Sequence, residues 1–208
     1  MKKEEKTKIT KERILSAAIA EFGSKNYDAA SINNICQTGQ IPKGLLYHNF
    51  NGKDDLYLLC VKECYDKLTA FLKSQSLQSS DVKEALQNTL MARQHFFEQN
   101  PLYANIFFNT ILQPPEHLSQ QLGQLRSEFD QYSAQCYLAV LQNLNLRNGI
   151  TKNIALEYFL ATSEMFNRYF QKKAKQGASY QKLVQNHEDM LPALFDIMLY
   201  GIAKSPAE

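Results

Sequence analysis

The chain has 208 residues, 44% of them hydrophobic, and a formal net charge of +2. That apolar content is enough to fill a real core in one domain, or in a small module joined to a larger one, and it excludes a disordered or fibrous chain. No run of 18 or more apolar residues occurs, which excludes a spanning helix, and lysine-rich Met1 to Thr10 lacks the apolar stretch of a signal peptide; a cytoplasmic protein that does not enter membranes is expected.

The charge is unevenly spread. Residues 1–53 hold nine Lys or Arg against five acids, a net of +4, which leaves −2 for the remainder. A small basic module on a mildly acidic body suits attraction to phosphate. Cys36, Cys60, Cys64 and Cys136 form no Cys-x-x-Cys pair and have no histidine at ligand spacing, so free thiols are expected and no metal or other cofactor.

In chain order, Ile14, Leu15, Ala17, Ala18, Ile19 and Phe22 recur at helical spacing, with Thr10 placed to cap their helix. Gly23 to Tyr27 ends it, and Asn26 is a residue that tolerates the left-handed conformation needed to reverse the chain. Ser31 suits the N-cap of a short helix whose inward face is Ile32 and Ile35. The turn Thr38-Gly39-Gln40 follows, then Ile41 as an anchor and Pro42 at a first helical position, where its missing N–H is no loss. The helix from Pro42 to Asn49 is expected to bury Leu46 and to leave Lys43, Leu45, Tyr47 and His48 at its rim, with Phe50 closing the small core. Two short helices joined by a turn of about 3–4 residues form a helix-turn-helix, which sets its second helix into the DNA major groove.

Beyond Asn51-Gly52 the periodicity predicts helices at about 53–74, 81–99, 101–112, 116–145, 151–176 and 186–203. Pro101 opens one of them, Pro114-Pro115 ends it, and Thr151 caps another after the turn Asn148-Gly149. No strand-like alternation appears, so the fold class is all-α: a three-helix DNA-binding domain over 1–53 with a basic arm at 1–9, then a helical body over 54–208, about nine helices in total.

These residues resemble the TetR/AcrR family of transcriptional regulators. The likeness covers Phe22 with Asn26-Tyr27, Ser31, the segment Lys43-Gly44-Leu45-Leu46-Tyr47-His48-Asn49-Phe50, and Lys53 with Leu56. Asn26 stands where the family has glycine, Gln40 takes the place of the turn glycine, and Leu45 replaces a common Thr or Ser. The resemblance implies that Lys43, Leu45, Tyr47 and His48 face the groove, beside Pro42 and Gly44, while Ser31, Tyr47 and Lys53 grip phosphates. Lys43 is the first candidate for reading a guanine. Packing of Tyr47 beneath its helix, and a solvent-facing His48, are the structural alternatives.

A single module buries little surface, so a homodimer on a palindromic duplex operator is expected, joined through the last two helices at Phe159, Phe166, Leu191, Leu194, Phe195 and Met198. An aromatic concentration at Phe96, Phe97, Tyr103, Phe107, Phe108, Phe129, Tyr132 and Tyr137, with His95 nearby and Phe166 beyond, suits either a solid core or a cavity for a small apolar or aromatic effector. Glu164 and Arg168 read as a surface ion pair. The implied function is a repressor released from its operator by that effector. The rivals are a helical ligand-binding protein without DNA and a small all-α enzyme; His48, His95, His117 and His187 are scattered, and no phosphate loop or nucleophile elbow appears.

Overall fold

The computed structural model describes residues 3–75 and 82–202. Lys2 of the basic arm and the expected helix limits at 81 and 203 lie outside the described residues. The described residues form nine α-helices: α1 (Lys3–Ser24), α2 (Ile32–Thr38), α3 (Lys43–Asn49), α4 (Lys53–Ser74), α5 (Val82–Gln99), α6 (Pro101–Leu112), α7 (Ser119–Gln142), α8 (Lys152–Lys175) and α9 (Tyr180–Ile202), with a 3-10 turn at Glu116–Leu118. The all-α class and the helix order follow the expectation, and no described helix is long and apolar enough to cross a membrane.

Several local expectations are corrected. Thr10 does not cap α1, because the helix already begins at Lys3. Residues 3–8 are Lys, Glu and Thr without Pro or Gly, a composition that lets the helix extend toward the terminus, so the described part of the basic arm is helical. Asn26 is not left-handed: its side chain accepts the Ala29 N–H, three residues on, at 3.0 Å and helps turn the chain in that way instead. Pro42 sits at the N-cap of α3, one residue before the expected position. The helix expected over 116–145 is a 3-10 turn followed by α7, and α9 starts at Tyr180 rather than 186, just after Gly177 at φ 85° and Ser179.

The chain divides into two compact units, one of residues up to 67 with 97–127, the other of 68–96 with 128 onward. The first unit therefore reaches past the expected boundary after residue 53, taking in most of α4 and all of α6. Its core holds Ile14, Ala18, Ile35, Leu46, Leu56 and Cys60, all without exposed surface, and Phe22 packs edge-on to Tyr57 with ring centroids 5.1 Å apart. α1 lies directly on α6. Gly23 makes this possible, since a Cβ there would stand 2.9 Å from the Leu102 backbone, and Asn105 Nδ2 donates to the Gly23 carbonyl at 2.7 Å. In the second unit α8 and α9 pack together, and Tyr137, Val140, Leu141, Ala155, Phe159, Met198 and Leu199 form one cluster with Tyr137 stacked on Phe159 at 4.3 Å.

The α2–α3 turn has an unusual division of labour. Gly39 has an ordinary right-handed φ of −78°, but a Cβ on it would come within 2.9 Å of Ala17 Cβ and 2.4 Å of Ile41 Cδ1, so glycine is needed for space. Gln40 takes the left-handed conformation, φ 49°, which costs a non-glycine residue about 1–2 kcal/mol. Gln40→Gly is therefore expected to stabilise the chain, by about 1 kcal/mol once the added freedom of the unfolded state is counted; urea denaturation should show a higher midpoint at unchanged slope, and a lower midpoint would remove strain at Gln40 from this account.

Candidate nucleic-acid interface and helical body

The putting together of the interface begins with a buried acid. Glu21, on α1, is only 8% exposed and accepts from the Ser31 backbone N–H at 2.9 Å, Asn34 Nδ2 at 3.2 Å and Lys25 Nζ at 2.8 Å. Burial on its own would raise the Glu21 pKa, but the three donors outweigh it and hold the carboxyl below its ordinary range. Ser31 in turn caps α2, its hydroxyl accepting the Asn33 N–H at 3.2 Å. Sequence reading missed Glu21 as a brace and counted it only as charge; its position ten residues before a capping serine is the signal that was present.

From this brace the chain runs through α2 and the Gly39-Gln40 turn to α3. Ile41 and Leu46, 4% and 0% exposed, anchor α3 in the core, while Pro42, Lys43, Gly44, Tyr47 and His48 all lie on its exposed side. Tyr47 is 56% exposed, so it is not a ring stacked beneath the helix. Leu45 is half-buried, and its carbonyl accepts from Asn49 Nδ2 at 2.8 Å. Phe50 is half-buried and only partly closes the core. Lys53 opens α4, with its ammonium 4.4 Å above the Tyr27 ring centre and donating to the Asp28 carbonyl at 3.3 Å. Asp54, next to it, takes a hydrogen bond from the Tyr27 hydroxyl, which holds its carboxyl below the usual range. The first half of α1 and the start of α4 border a groove of about 670 Å3 at Thr7, Lys8, Lys11, Glu12, Leu15, Phe50 and Leu59; none of the rings expected around an effector touches it.

Those rings divide between the units. In the first, Phe97, Phe107 and Phe108 pack ring against ring at 4.9–5.4 Å and are almost wholly buried, and Tyr103 has its phenol pushed up to about 12 by burial. In the second, Phe96 packs on Phe71 at 5.4 Å, Tyr132 donates to the Leu72 carbonyl at 3.1 Å, Phe129 is half-buried, and His95 is exposed. Phe166 lies against Phe170 and His187.

Sequence reading also missed a polar network in the second unit. His187, 2% exposed, has Nδ1 2.9 Å from Glu188 Oε1 and Nε2 3.2 Å from Asn167 Oδ1, and Arg93 makes a short ion pair with Glu188. Burial would raise the Glu188 pKa, but His187 and Arg93 together hold it low. Thr69, Tyr137 and Thr162 bury hydroxyl oxygens with no hydrogen-bond partner among the described residues, a rare condition in a native core. Glu164 and Arg168 are the expected exposed ion pair, 2.6 Å apart.

The residues chosen for the dimer contact need correction. Met198 has no exposed surface, and Phe159, Phe166 and Leu191 are each 8% exposed; they face the interior of their own chain, with Leu194 and Phe195 packed partly beside them. The outward apolar side consists of Ile154, Tyr158, Met165 and Tyr169 on α8 and Met190, Ile197 and Tyr200 on α9, all between 42% and 66% exposed.

A short capped helix, a tight turn and a second helix with an exposed Lys-Gly-x-x-Tyr-His side define a helix-turn-helix domain joined to a helical body. Residues 14–60 match the family described as bacterial regulatory proteins, tetR family. The chain is 27% identical over 116 residues to the biofilm operon icaADBC HTH-type negative transcriptional regulator IcaR of Staphylococcus aureus strain Newman; the match spans 56% of this chain and 61% of that protein's length. The fold as a whole is similar to a solved tetR family regulator from Shewanella sp. PV-4, with TM-score 0.61 and 17% identity over 94% of this chain and 99% of that one. It is also similar to the transcriptional regulator FadR from Bacillus subtilis, solved in complex with stearoyl-CoA, with TM-score 0.60 and 14% identity over 86% and 96%.

Replacing Glu21 with Gln is expected to lower stability at pH 7 by about 1.5–3 kcal/mol, the range for hydrogen bonds to a charged group. Because the native pKa of Glu21 lies below the unfolded one, its contribution is complete above the ordinary value of 4.5 and is lost as the pH falls through the native value. Urea titrations at several pH values should therefore find the two proteins converging as acid is added; a gap that does not narrow would contradict the role given to this carboxylate.

Proposed function

We propose that the chain is a DNA-binding transcriptional regulator, a repressor that a small lipophilic or aromatic effector releases from a palindromic operator. The observation that carries the DNA reading is the division of α3, with Ile41 and Leu46 buried and Pro42, Lys43, Gly44, Tyr47 and His48 exposed. A helix seated this way offers donors to base edges, while the capped start of α2 and the Lys53 ammonium suit phosphate oxygens. Leu45 contributes a methyl-bearing rim. Residues 1–53 are the DNA-binding domain in this reading and 54–208 the effector-binding and dimerisation body, acting in the cytoplasm. Repression is supported by the likeness to IcaR, a negative regulator by name.

An effector in the helical body is supported by the second unit. Thr69, Tyr137 and Thr162 hold buried hydroxyls without a partner among the described residues, the kind of group a bound molecule can satisfy. The complex of the fold relative FadR with stearoyl-CoA agrees with a lipophilic effector. Effector that binds best to a conformation with mismatched α3 spacing must lower operator affinity by linkage. α4 is one unbroken helix with residues in both units, and it is assigned the part of lever.

The operator needs two modules about 34–36 Å apart. The exposed apolar side of α8 and α9 supports a symmetric dimer: Ile154, Tyr158 and Met165 on one helix, and Met190, Ile197 and Tyr200 on the other, recur at steps of three, four or seven residues as a packed helical seam requires. Among the described residues no catalytic constellation competes with this reading, and its rival as a DNA-free ligand-binding protein is decided by the same titrations.

Fluorescence titration with duplex DNA from upstream of the chain's own gene, at varied salt, tests the proposal. Lys43→Ala is expected to cost about 1–3 kcal/mol and to relax preference at one base pair, whereas Lys53→Ala should weaken all sequences alike and reduce the salt slope by about one. Equal losses for Lys43→Ala on operator and random duplex would remove its base-reading role. For the dimer, Ile197→Glu should yield single chains in sedimentation while leaving the helical signal intact. Met198→Ala, in the core, should instead cost about 2–5 kcal/mol of stability. Dimers that persist in Ile197→Glu would move the interface elsewhere.

A further inference from the structure

At the start of α4 a cluster of side chains surrounds the base of Lys53, the residue assigned to phosphate. Tyr27, in the connection after α1, donates its hydroxyl to Asp54 in a short hydrogen bond. His117 closes on the same pair: its Nε2 is 3.3 Å from Asp54 Oδ2 and 3.4 Å from the Tyr27 oxygen, and its ring stands edge-on to Tyr27 with centroids 5.5 Å apart. Tyr57 holds Tyr27 edge-on at 5.0 Å, and Lys53 rests on the Tyr27 ring. The ring therefore serves as a platform with a lysine on it and a carboxylate and an imidazole fixing its hydroxyl.

The corner that presents His117 is stiff. Pro114 and Pro115 cannot continue α6, the Leu118 N–H donates to the Pro115 carbonyl at 3.0 Å, and the Leu118 side chain is 2% exposed, so the 3-10 turn is pinned on both sides of the histidine. A group delivered by such a turn keeps its place whether or not it is charged.

We infer that His117 is a positioning residue for the phosphate contact assigned to Lys53, and that its protonation tightens a clasp with Asp54 and Tyr27 and so raises operator affinity at mildly acidic pH. This rests on the reading of Lys53 as a DNA contact. Imidazole changes charge between about pH 5 and 8, where no other group of the cluster ordinarily does. Its charged form donates through Nε2 and attracts Asp54; its neutral form does at most the first. His117 meets Asp54 of α4 and Tyr27 of the connection before α2; Lys53 acts on Asp54 and Asp28 on Tyr27, and Glu116 precedes the histidine on its own turn. Asp54, 3.3 Å away, favours the charge on His117. Both ends of the His117–Asp54 contact are about half exposed, 54% and 49%, so solvent screening limits the effect to about two- to fivefold.

The test measures affinity of the full chain for the upstream duplex at about pH 6 and pH 8. Wild type should bind about two- to fivefold more tightly at the lower pH relative to His117→Gln, His117→Arg should hold high affinity at both, and Asp54→Asn should abolish the difference. That last result separates a clasp from a distant positive charge. In parallel, the His117 ring resonance of the DNA-free protein should shift in Asp54→Asn and in Tyr27→Phe. The same pH response in wild type and His117→Gln, or a ring resonance indifferent to both substitutions, overturns the clasp. Failure to bind any duplex at either pH overturns the regulator reading instead, while the resonance still reports on the clasp.

Discussion

The carboxylate of Glu21, buried on α1 and accepting from Ser31, Asn34 and Lys25, fastens the first helix to the beginning of the second. The orientation of α3 depends on that joint. A short helix has too few internal hydrogen bonds to be stable alone, so α2 and α3, seven residues each, take their geometry from their contacts. One polar contact at the start of α2 and two apolar anchors, Ile35 and Leu46, leave α3 a single way to lie, with Lys43, Tyr47 and His48 outward.

Space and conformation are handled by different residues in the neighbouring turn, and the same separation recurs at larger scale. Gly39 yields room for Ala17 and Ile41 while Gln40 carries the left-handed backbone. Gly23 likewise serves α6 rather than a turn: it admits the Leu102 backbone and frees a carbonyl for Asn105. α1 is thus held by α6, with Tyr65 and Thr110 hydrogen-bonded at 2.9 Å deeper in the same unit. A change in α6 has a direct mechanical route to α1, and His117, on the corner that follows α6, adds an electrostatic one to α4.

The second unit mixes an ordinary apolar core with polar groups that a core does not need. Tyr137 stacked on Phe159 fills volume, yet its hydroxyl finds no partner. Arg93, Glu188, His187 and Asn167 form a chain of charge and hydrogen bonds linking α5, α8 and α9. Such networks cost desolvation and are retained where they position something or set one arrangement against another.

Sequence alone determined the local matters: the all-α class, the caps at Ser31 and Thr151, the opening of α6 at Pro101, the ends of most helices, and an exposed Lys43-Gly44 with Tyr47 and His48, because each follows from propensity, period or capping within a few residues. The likeness of residues 10–56 to a known family was legible for the same reason. What required tertiary structure was the phase and partnership of side chains far apart in the chain. Met198 and Ile197 are neighbours of similar hydropathy, and only the packing of α7, α8 and α9 assigns one to the core and the other to the surface. Glu21, Tyr27, Arg93 and His117 each look like ordinary polar residues until a partner 10 to 95 positions away is brought beside them. Local rules carry no information about those partners, because the energy that selects them exists only once the helices have packed.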